Sequence, residues 1–337
     1  MSRTTSPEST PSYQVSKRAD SLGPLGALIG GGLLMLWAAG SGFRLDLLLL
    51  TSAYALIALG MYVPFIMARS LSIAYGVYAA IGAYSVAMIS AHTALPLWMG
   101  WLIGAAISAA LAIPLSLSTM KLSGFYLAAI TLLFSEAFES WLAGTDWLGG
   151  ASGIGNLRPL TLFGWTPDRT WRTVLALLLV IVIATLLERL RRSPWGVTVR
   201  YMEDRPLPVD SSGIRTDDLK TASLSLGAAV ASLGGALFTT SVGTVTPDTW
   251  TLEVVFLVIF IPLLGGRKTV WGAVLGAVLV VQLTLNVSFG ESSGQIIVTL
   301  AVLIVLLTAP NGLLGLFGKE GQLHKLWPAR GNKKEGQ

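Results

Sequence analysis

The chain has 337 residues, 53% hydrophobic and 12% charged, with a net charge of +5, no cysteine and a mean hydropathy of +0.67. Soluble domains carry roughly 25% charged residues, so this chain has too little charge to coat a water-facing surface. That balance excludes a disordered chain, a disulfide scaffold, a zinc–cysteine protein and a water-soluble globular fold.

Residues 21–43, 47–68, 70–120, 221–247, 269–290 and 292–318 contain no Asp, Glu, Lys or Arg. A helix needs about 20 mostly apolar residues to cross roughly 30 Å of hydrocarbon, so the longest run holds two spans, divided near His92–Pro96. In chain order the expected spans are 22–40, 46–67, 71–90, 96–117, 122–142, 171–188, 220–242, 251–266, 270–290 and 295–317. The expected fold is therefore all-α: a polytopic membrane protein of about ten transmembrane helices, compatible with two five-helix halves in inverted repeat. Residues 1–20 are Ser/Thr/Pro-rich and expected as a disordered cytoplasmic tail, 21–318 as the transmembrane domain and 319–337 as a second cytoplasmic tail. A signal peptide at the start is the competing idea. The uncharged run at 21–43 exceeds the 7–15 residues of such an apolar region, which favours an uncleaved span.

With the N-terminus in the cytoplasm, ten crossings leave only Arg44, Arg158, Arg169 and Arg172 on the outer side. The other 19 of the 23 basic residues fall on the cytoplasmic side, as the positive-inside rule requires. The +5 charge is thus a topology signal, and no nucleic-acid partner is expected.

Glycines pair at small-xxx-small spacing: Gly26/Gly30, Gly100/Gly104 with Ser108, and Gly272/Gly276. Such pairs let helix backbones approach, either within the subunit or at a dimer seam. Three segments depart from a plain spanning helix. Residues 251–266 are short and carry Pro262, 122–142 carry Glu136 and Glu139, and 68–84 combine Arg69, Ser72, Tyr75, Gly76 and Tyr78. Irregular or polar segments at membrane depth face protein or a wet cavity. Glu136 and Glu139 share a helix face. Glu136 is expected toward the bundle interior or such a cavity, in a pathway role or as a satisfied internal hydrogen-bond partner, and Glu139 at a solvated helix end. The outer loop 143–170, with Asp146–Gly155 rich in glycine, reads equally as a docking surface or a connector. The cytoplasmic loop 189–219 carries both charge signs and two large aromatics, which suits a short helix presented to a protein partner. A membrane-surface segment is the other reading, weakened by Glu203, Asp204, Asp210, Asp217 and Asp218.

Catalytic signatures are missing. The two histidines, His92 and His324, stand far apart, and neither G-x-S-x-G nor H-E-x-x-H occurs. Gly265–Thr269 lacks the spacing of a phosphate loop. No enzyme activity, cofactor or metal site is expected, and any ATPase belongs to another chain.

Several segments, in order, resemble the branched-chain amino acid ABC-transporter permease family of the LivM type. Leu71-Ser72-Ile73-Ala74-Tyr75-Gly76 through Ile81-Gly82-Ala83-Tyr84 is similar to that family's L-S-x-G-x-x-x-F-x-x-I-G-A-Y stretch. Gly124-Phe125-Tyr126 through Thr131-Leu132 and Glu136 resembles G-x-Y-F-A-x-x-T-L-x-F-x-E, followed by a glycine-rich piece at Thr145–Ile154. Gly234-Gly235-Ala236-Leu237 with Pro247-Asp248, Leu264-Gly265-Gly266 with Trp271–Ala277, and Ala309–Gly315 complete the set, which covers roughly 45–317. The resemblance implies a permease subunit of an ABC importer in the bacterial inner membrane, in contact with membrane lipid. Its cargo would be branched-chain or related amino acids, and both termini would be cytoplasmic. It also implies a homologous second permease, two ATP-binding subunits and an extracytoplasmic substrate-binding protein. Loop 189–219 then becomes the coupling loop, with Trp195, Gly196, Arg200, Tyr201, Glu203, Asp204 and Gly213 facing the ATPase. Tyr75, Gly76, Tyr126, Glu136 and Pro262 become translocation-pathway candidates. The sequence departs from the family's coupling pattern at Pro206 and Pro208, and Arg267-Lys268 replaces small residues after Gly266. Two alternatives stay open: a self-contained secondary transporter of a small polar solute, and an ABC permease for urea or short amides.

Overall fold

The computed structural model describes residues 22–119, 122, 125–161, 164–204, 215–267 and 269–286. The expected span 295–317, both tails, Pro206, Pro208, Gly213, Lys268 and the end of span 270–290 lie outside them. Within the described residues the chain is helical throughout: α1 (Leu22–Ala38), α2 (Gly42–Tyr62), α3 (Tyr75–His92), α4 (Trp98–Thr119) and α5 (Phe125–Ala143). After them come α6 (Arg169–Arg192), α7 (Pro194–Asp204), α8 (Thr216–Val242), α9 (Leu252–Gly265) and α10 (Val270–Asn286). Six stretches among the described residues are long and apolar enough to cross a membrane: Gly42–Met67, Trp98–Thr119, Phe125–Ala143, Arg169–Arg192, Thr216–Val242 and Pro247–Gly265. Gly26–Ala38 and Val270–Thr284 are shorter apolar helices. α3 is 18 residues long, but Tyr75, Tyr78, Tyr84 and His92 hold its hydropathy down, and protein surrounds most of it.

α8 is the central post, packed by α2, α3 and α4. Small residues make this arrangement possible, because lipid offers no hydrophobic drive between helices and close backbone approach must supply the attraction. α4 buries a stripe of Gly100, Gly104, Ser108, Ala112, Ser116 and Thr119, every third or fourth residue, against α3 and α8. Hydroxyls fix the register along it: Ser225 Oγ donates to the Ala109 carbonyl at 2.8 Å, Ser116 and Thr221 pair at 2.9 Å, and Trp101 Nε1 donates to Thr240 Oγ1 at 3.1 Å. A methyl group added at Gly82 would fall on the Ser232 carbonyl, and one at Gly60 on the Gly227 carbonyl. α9 and α10 cross in the same way, with Gly265 against Gly272 and Gly276 against the Ile261 carbonyl. Gly26 and Gly30 differ. Among the described residues, neither has anything within 4 Å of its added methyl group, so no described helix packs into the groove they cut in α1.

The third expected span begins four residues late. α2 ends in a π turn, Val63–Met67, and residues 69–74 are not helical although Ser72, Ile73 and Ala74 are buried. α5 satisfies this stretch from outside: the Ile73 N–H donates to Thr131 Oγ1 at 2.9 Å, and Ser135 Oγ donates to the Ile73 carbonyl at 3.3 Å. The Ser70 N–H donates to the Pro64 carbonyl at 2.8 Å. A non-helical backbone at membrane depth is tolerated only with such partners.

Candidate functional sites

Two polar regions stand at opposite ends of the bundle, with an unpaired helix face between them. At one end α1 and α5 finish and α6 begins, and there Trp37, Trp141, Trp147, Trp165 and Trp171 are all exposed. Exposed tryptophans at helix ends are the usual composition of a membrane–water boundary. The glycine-rich loop at this end is ordered by its neighbour. Ile154 and Val245 exchange backbone hydrogen bonds at 2.8 and 2.9 Å in an isolated antiparallel bridge. Gly153 beside it has φ 68°, ψ −161°, a conformation essentially restricted to glycine, and an added methyl group would meet the Val245 carbonyl. Thr246 and Thr249 close a capping box over the following 3₁₀ turn, Pro247–Trp250. Arg158, one of the four basic residues expected on the outer side, spans the end of α3. Its Nη2 donates to the carbonyls of Ile89 (3.0 Å) and Thr93 (2.6 Å), and its Nε to that of Ser90 (3.2 Å). A guanidinium there adds donors at a helix end, where carbonyls run short of intrahelical partners, although the Ile89 carbonyl also accepts the Thr93 N–H.

At the other end the expected loop 189–219 is mostly helix: the last turn of α6, the separate helix α7 and the first turn of α8. α7 buries Val199 and Met202, tucks Trp195 against the core and exposes Arg200 and Tyr201. Gly196 is buried against the last carbonyls of α6, where a methyl group would meet those of Leu190 and Arg191. Arg200 Nε donates to the Gly196 carbonyl and Nη2 to the Arg191 carbonyl, both at 3.2 Å. Glu203 and Asp204 form the last turn of α7, and Gly213 lies outside the described residues.

Glu188 organises this end, and the sequence analysis gave it no role. It is 6% exposed. It accepts a bidentate pair from Arg191 (2.7 and 3.0 Å), one bond from Arg192 Nε (2.8 Å), and one from the backbone N–H of Val270 (3.2 Å). Val270 is the first residue of α10, whose N–H groups lack intrahelical acceptors and favour negative charge. The sequence does signal it: an acid stands among Arg189, Arg191 and Arg192 at helical spacing, at the end of an apolar run.

The pathway candidates fall into two places. Tyr75, Gly76 and Pro262 are buried in the bundle. Tyr75 and Gly76 line a narrow apolar crevice with Ile57, Trp250 and Val255, too tight to admit a solute. Tyr126 and Glu136 lie elsewhere, on the outward face of α5: Tyr126 is 70% exposed, and Glu136 is exposed among Leu133, Ser140 and Trp141. Of the two places expected for Glu136, it is therefore not in the interior of the described bundle, and a wet cavity on the outward face of α5 is the one its exposure leaves. Leu127, Thr131 and Leu142 are the buried residues of α5, and Ser135 follows them onto the non-helical strap of residues 69–74 that precedes α3, which turns Glu136 away.

Residues 43–308 match the family model described as the branched-chain amino acid transport system permease component. The chain is 30% identical over 295 residues to the high-affinity branched-chain amino acid transport system permease protein LivM of Escherichia coli K12. That alignment covers 80% of this chain and 69% of the relative, and the Salmonella typhimurium LT2 protein of the same name matches equally. The autoinducer 2 import system permease protein LsrC of Yersinia enterocolitica is 27% identical over 179 residues, 51% of this chain and 45% of its own. No solved structure matches. Motifs expected from the sequence, an all-helical bundle with apolar spans and the match along most of its length agree: this chain belongs to the family of branched-chain amino acid transport system permease components.

Proposed function

We propose that this chain is the transmembrane permease subunit of an ABC importer that moves branched-chain or related amino acids across the bacterial inner membrane. Separate ATP-binding subunits drive it. The supporting observation is α7, a short helix whose inner face is built into the bundle and whose outer face presents Arg200 and Tyr201. That is a handle for another protein to push. In this reading the α7 end is cytoplasmic and the tryptophan-ringed end is outer. The chain makes ten crossings from two related halves, within a permease domain of residues 21–318. Arg200, Tyr201, Glu203, Asp204 and Gly213 form the surface that meets the ATPase, and Trp195 and Gly196 seat α7 on the bundle behind it.

The cargo route runs along α5 at a seam with a homologous second permease. A carboxylate facing hydrocarbon is costly, and Glu136 is exposed on a largely apolar span that also carries Glu139 one turn further on. A wet seam between two permeases removes that cost. Tyr126 and Glu136 line the seam, while Tyr75, Gly76 and Pro262 stand behind it, where α3 starts and where α9 carries its proline. A binding protein delivers cargo to the outer end. The decisive experiment is leucine uptake into vesicles holding the purified complex: uptake that requires added ATPase subunits and ATP supports the assignment. Uptake by this chain alone on an ion gradient overturns it in favour of a secondary transporter.

A further inference from the structure

We propose that Glu188 is a positioning residue for coupling, which carries displacement of α7 to the first turn of α10. The inference rests on the reading of α7 as the ATPase-facing helix and adds to it a specific mechanical link. The link is a chain of polar contacts. Arg200 on α7 donates to the Arg191 carbonyl, the Arg191 guanidinium clamps both oxygens of Glu188, and Glu188 accepts the N–H that opens α10. Charge-assisted and bidentate bonds are the shorter and stiffer kind, and they are stronger away from water. Glu188 is buried, and the side chain of Arg191 is only 15% exposed.

The turn that Glu188 reaches has a second tether. The Tyr62 hydroxyl, at the end of α2, donates to the Arg267 carbonyl at 3.1 Å. α2 packs on the central helix α8 and along α6 and α10, and the π turn at its end meets α7. The α9–α10 turn is thus held from two directions, by the core through Tyr62 and by the α6–α7 corner through Glu188. Because α9 and α10 touch backbone to backbone at Gly265, Gly272 and Gly276, what moves the start of α10 moves α9 with it. Stability alone would not need a carboxylate here, since a well-packed apolar side chain commonly serves as well as a buried ion pair. A charge that ties two helix ends to one guanidinium suits the transfer of a displacement.

The test uses the complete complex, with its ATPases and second permease, in nanodiscs. The chain has no cysteine, so Thr198→Cys on α7, Leu275→Cys on α10 and Leu102→Cys on α4 can be spin-labelled in pairs with no other thiol in this chain, once any cysteines of the partner subunits have been replaced. Distances from position 102 to 198 and to 275 are measured by pulsed electron resonance with and without ATP. In the otherwise wild-type complex both are expected to shift. With Glu188→Gln, which cannot hold Arg191 as an ion pair, the 198 shift should persist, the 275 shift should collapse, and stimulated ATPase activity should fall about tenfold, within the usual range of a coupling free energy. Glu188→Asp should restore part of the 275 shift, and Tyr62→Phe should leave it intact. An unchanged 275 shift in Glu188→Gln overturns the role of Glu188, as does its equal loss in Tyr62→Phe. A 198 position that stays still in the wild-type background overturns the reading of α7 itself, a different failure.

Discussion

Ile154 and Val245 pair through both of their backbone groups, joining two loops at the tryptophan-ringed end across 91 positions of sequence. The bridge depends on Gly153, whose backbone conformation suits glycine and whose missing side chain leaves room for the Val245 carbonyl. Gly153→Ala should cost about 1–3 kcal/mol, the usual penalty of such a conformation. Hydrogen exchange at the Ile154 and Val245 amides should speed up in step with it, while the amides of α8 stay protected. Unchanged exchange would show that the bridge holds without glycine.

Small residues in the bundle should divide sharply. Gly82→Val pushes a side chain into the Ser232 carbonyl and should destabilise the chain by about 3 kcal/mol, the upper end of typical overpacking costs. Gly30→Val meets nothing among the described residues and should leave the melting temperature of the isolated chain in detergent unchanged. Equal losses at both sites would contradict the packing described for α3 and α8.

Arg158 holds the end of α3 through a planar fork that reaches several carbonyls at once. Arg158→Ala should cost about 1 kcal/mol, the value of a modest hydrogen-bonded cap reduced by its exposure to solvent. Arg158→Lys should recover little, because an ammonium lacks the fork. Thermal unfolding of the two variants side by side measures the difference.

Glu136 is exposed on α5 among the described residues, so Glu136→Gln should insert and fold normally. Uptake by the assembled complex should nevertheless fall severalfold. Wild-type uptake kinetics in the variant would remove Glu136 from the route.

Charge reversal at Glu203 and Asp204 together should lower ATPase stimulation by loaded binding protein while co-purification of the complex survives. Normal stimulation would take these two residues out of the coupling surface.

Much of this architecture was legible in one line of sequence, because hydrocarbon tolerates few charges and the charge-free runs mark the helices directly. The starts of α4, α8 and α10 lie within a few residues of where those runs place them. The start of α3 was not legible: Leu71–Ala74 is apolar and uncharged, and what keeps it out of a helix is a pair of hydroxyls 58 and 62 positions away on α5. The direction of Glu136 was left open for the same reason, since the strap decides which side of α5 turns inward. Glu188 was passed over because it stands at the edge of an apolar run, where an acid followed by arginines resembles a solvated helix end. Its burial comes from α10, which arrives 82 positions later.

The fastening of α5 gives the bundle two grades of stiffness. α2, α3, α4 and α8 lock carbonyl against glycine, an arrangement that yields only by pulling backbones apart. α5 is joined to α3 by side-chain hydroxyls on Ile73 and meets the rest through short turns at its outer end. Hydrogen bonds of that kind contribute about 1 kcal/mol each, so thermal energy releases them far more often than it parts the central helices. The helix that carries Glu136 is therefore the one best able to swing on a fixed frame, and the frame need not loosen for it to do so.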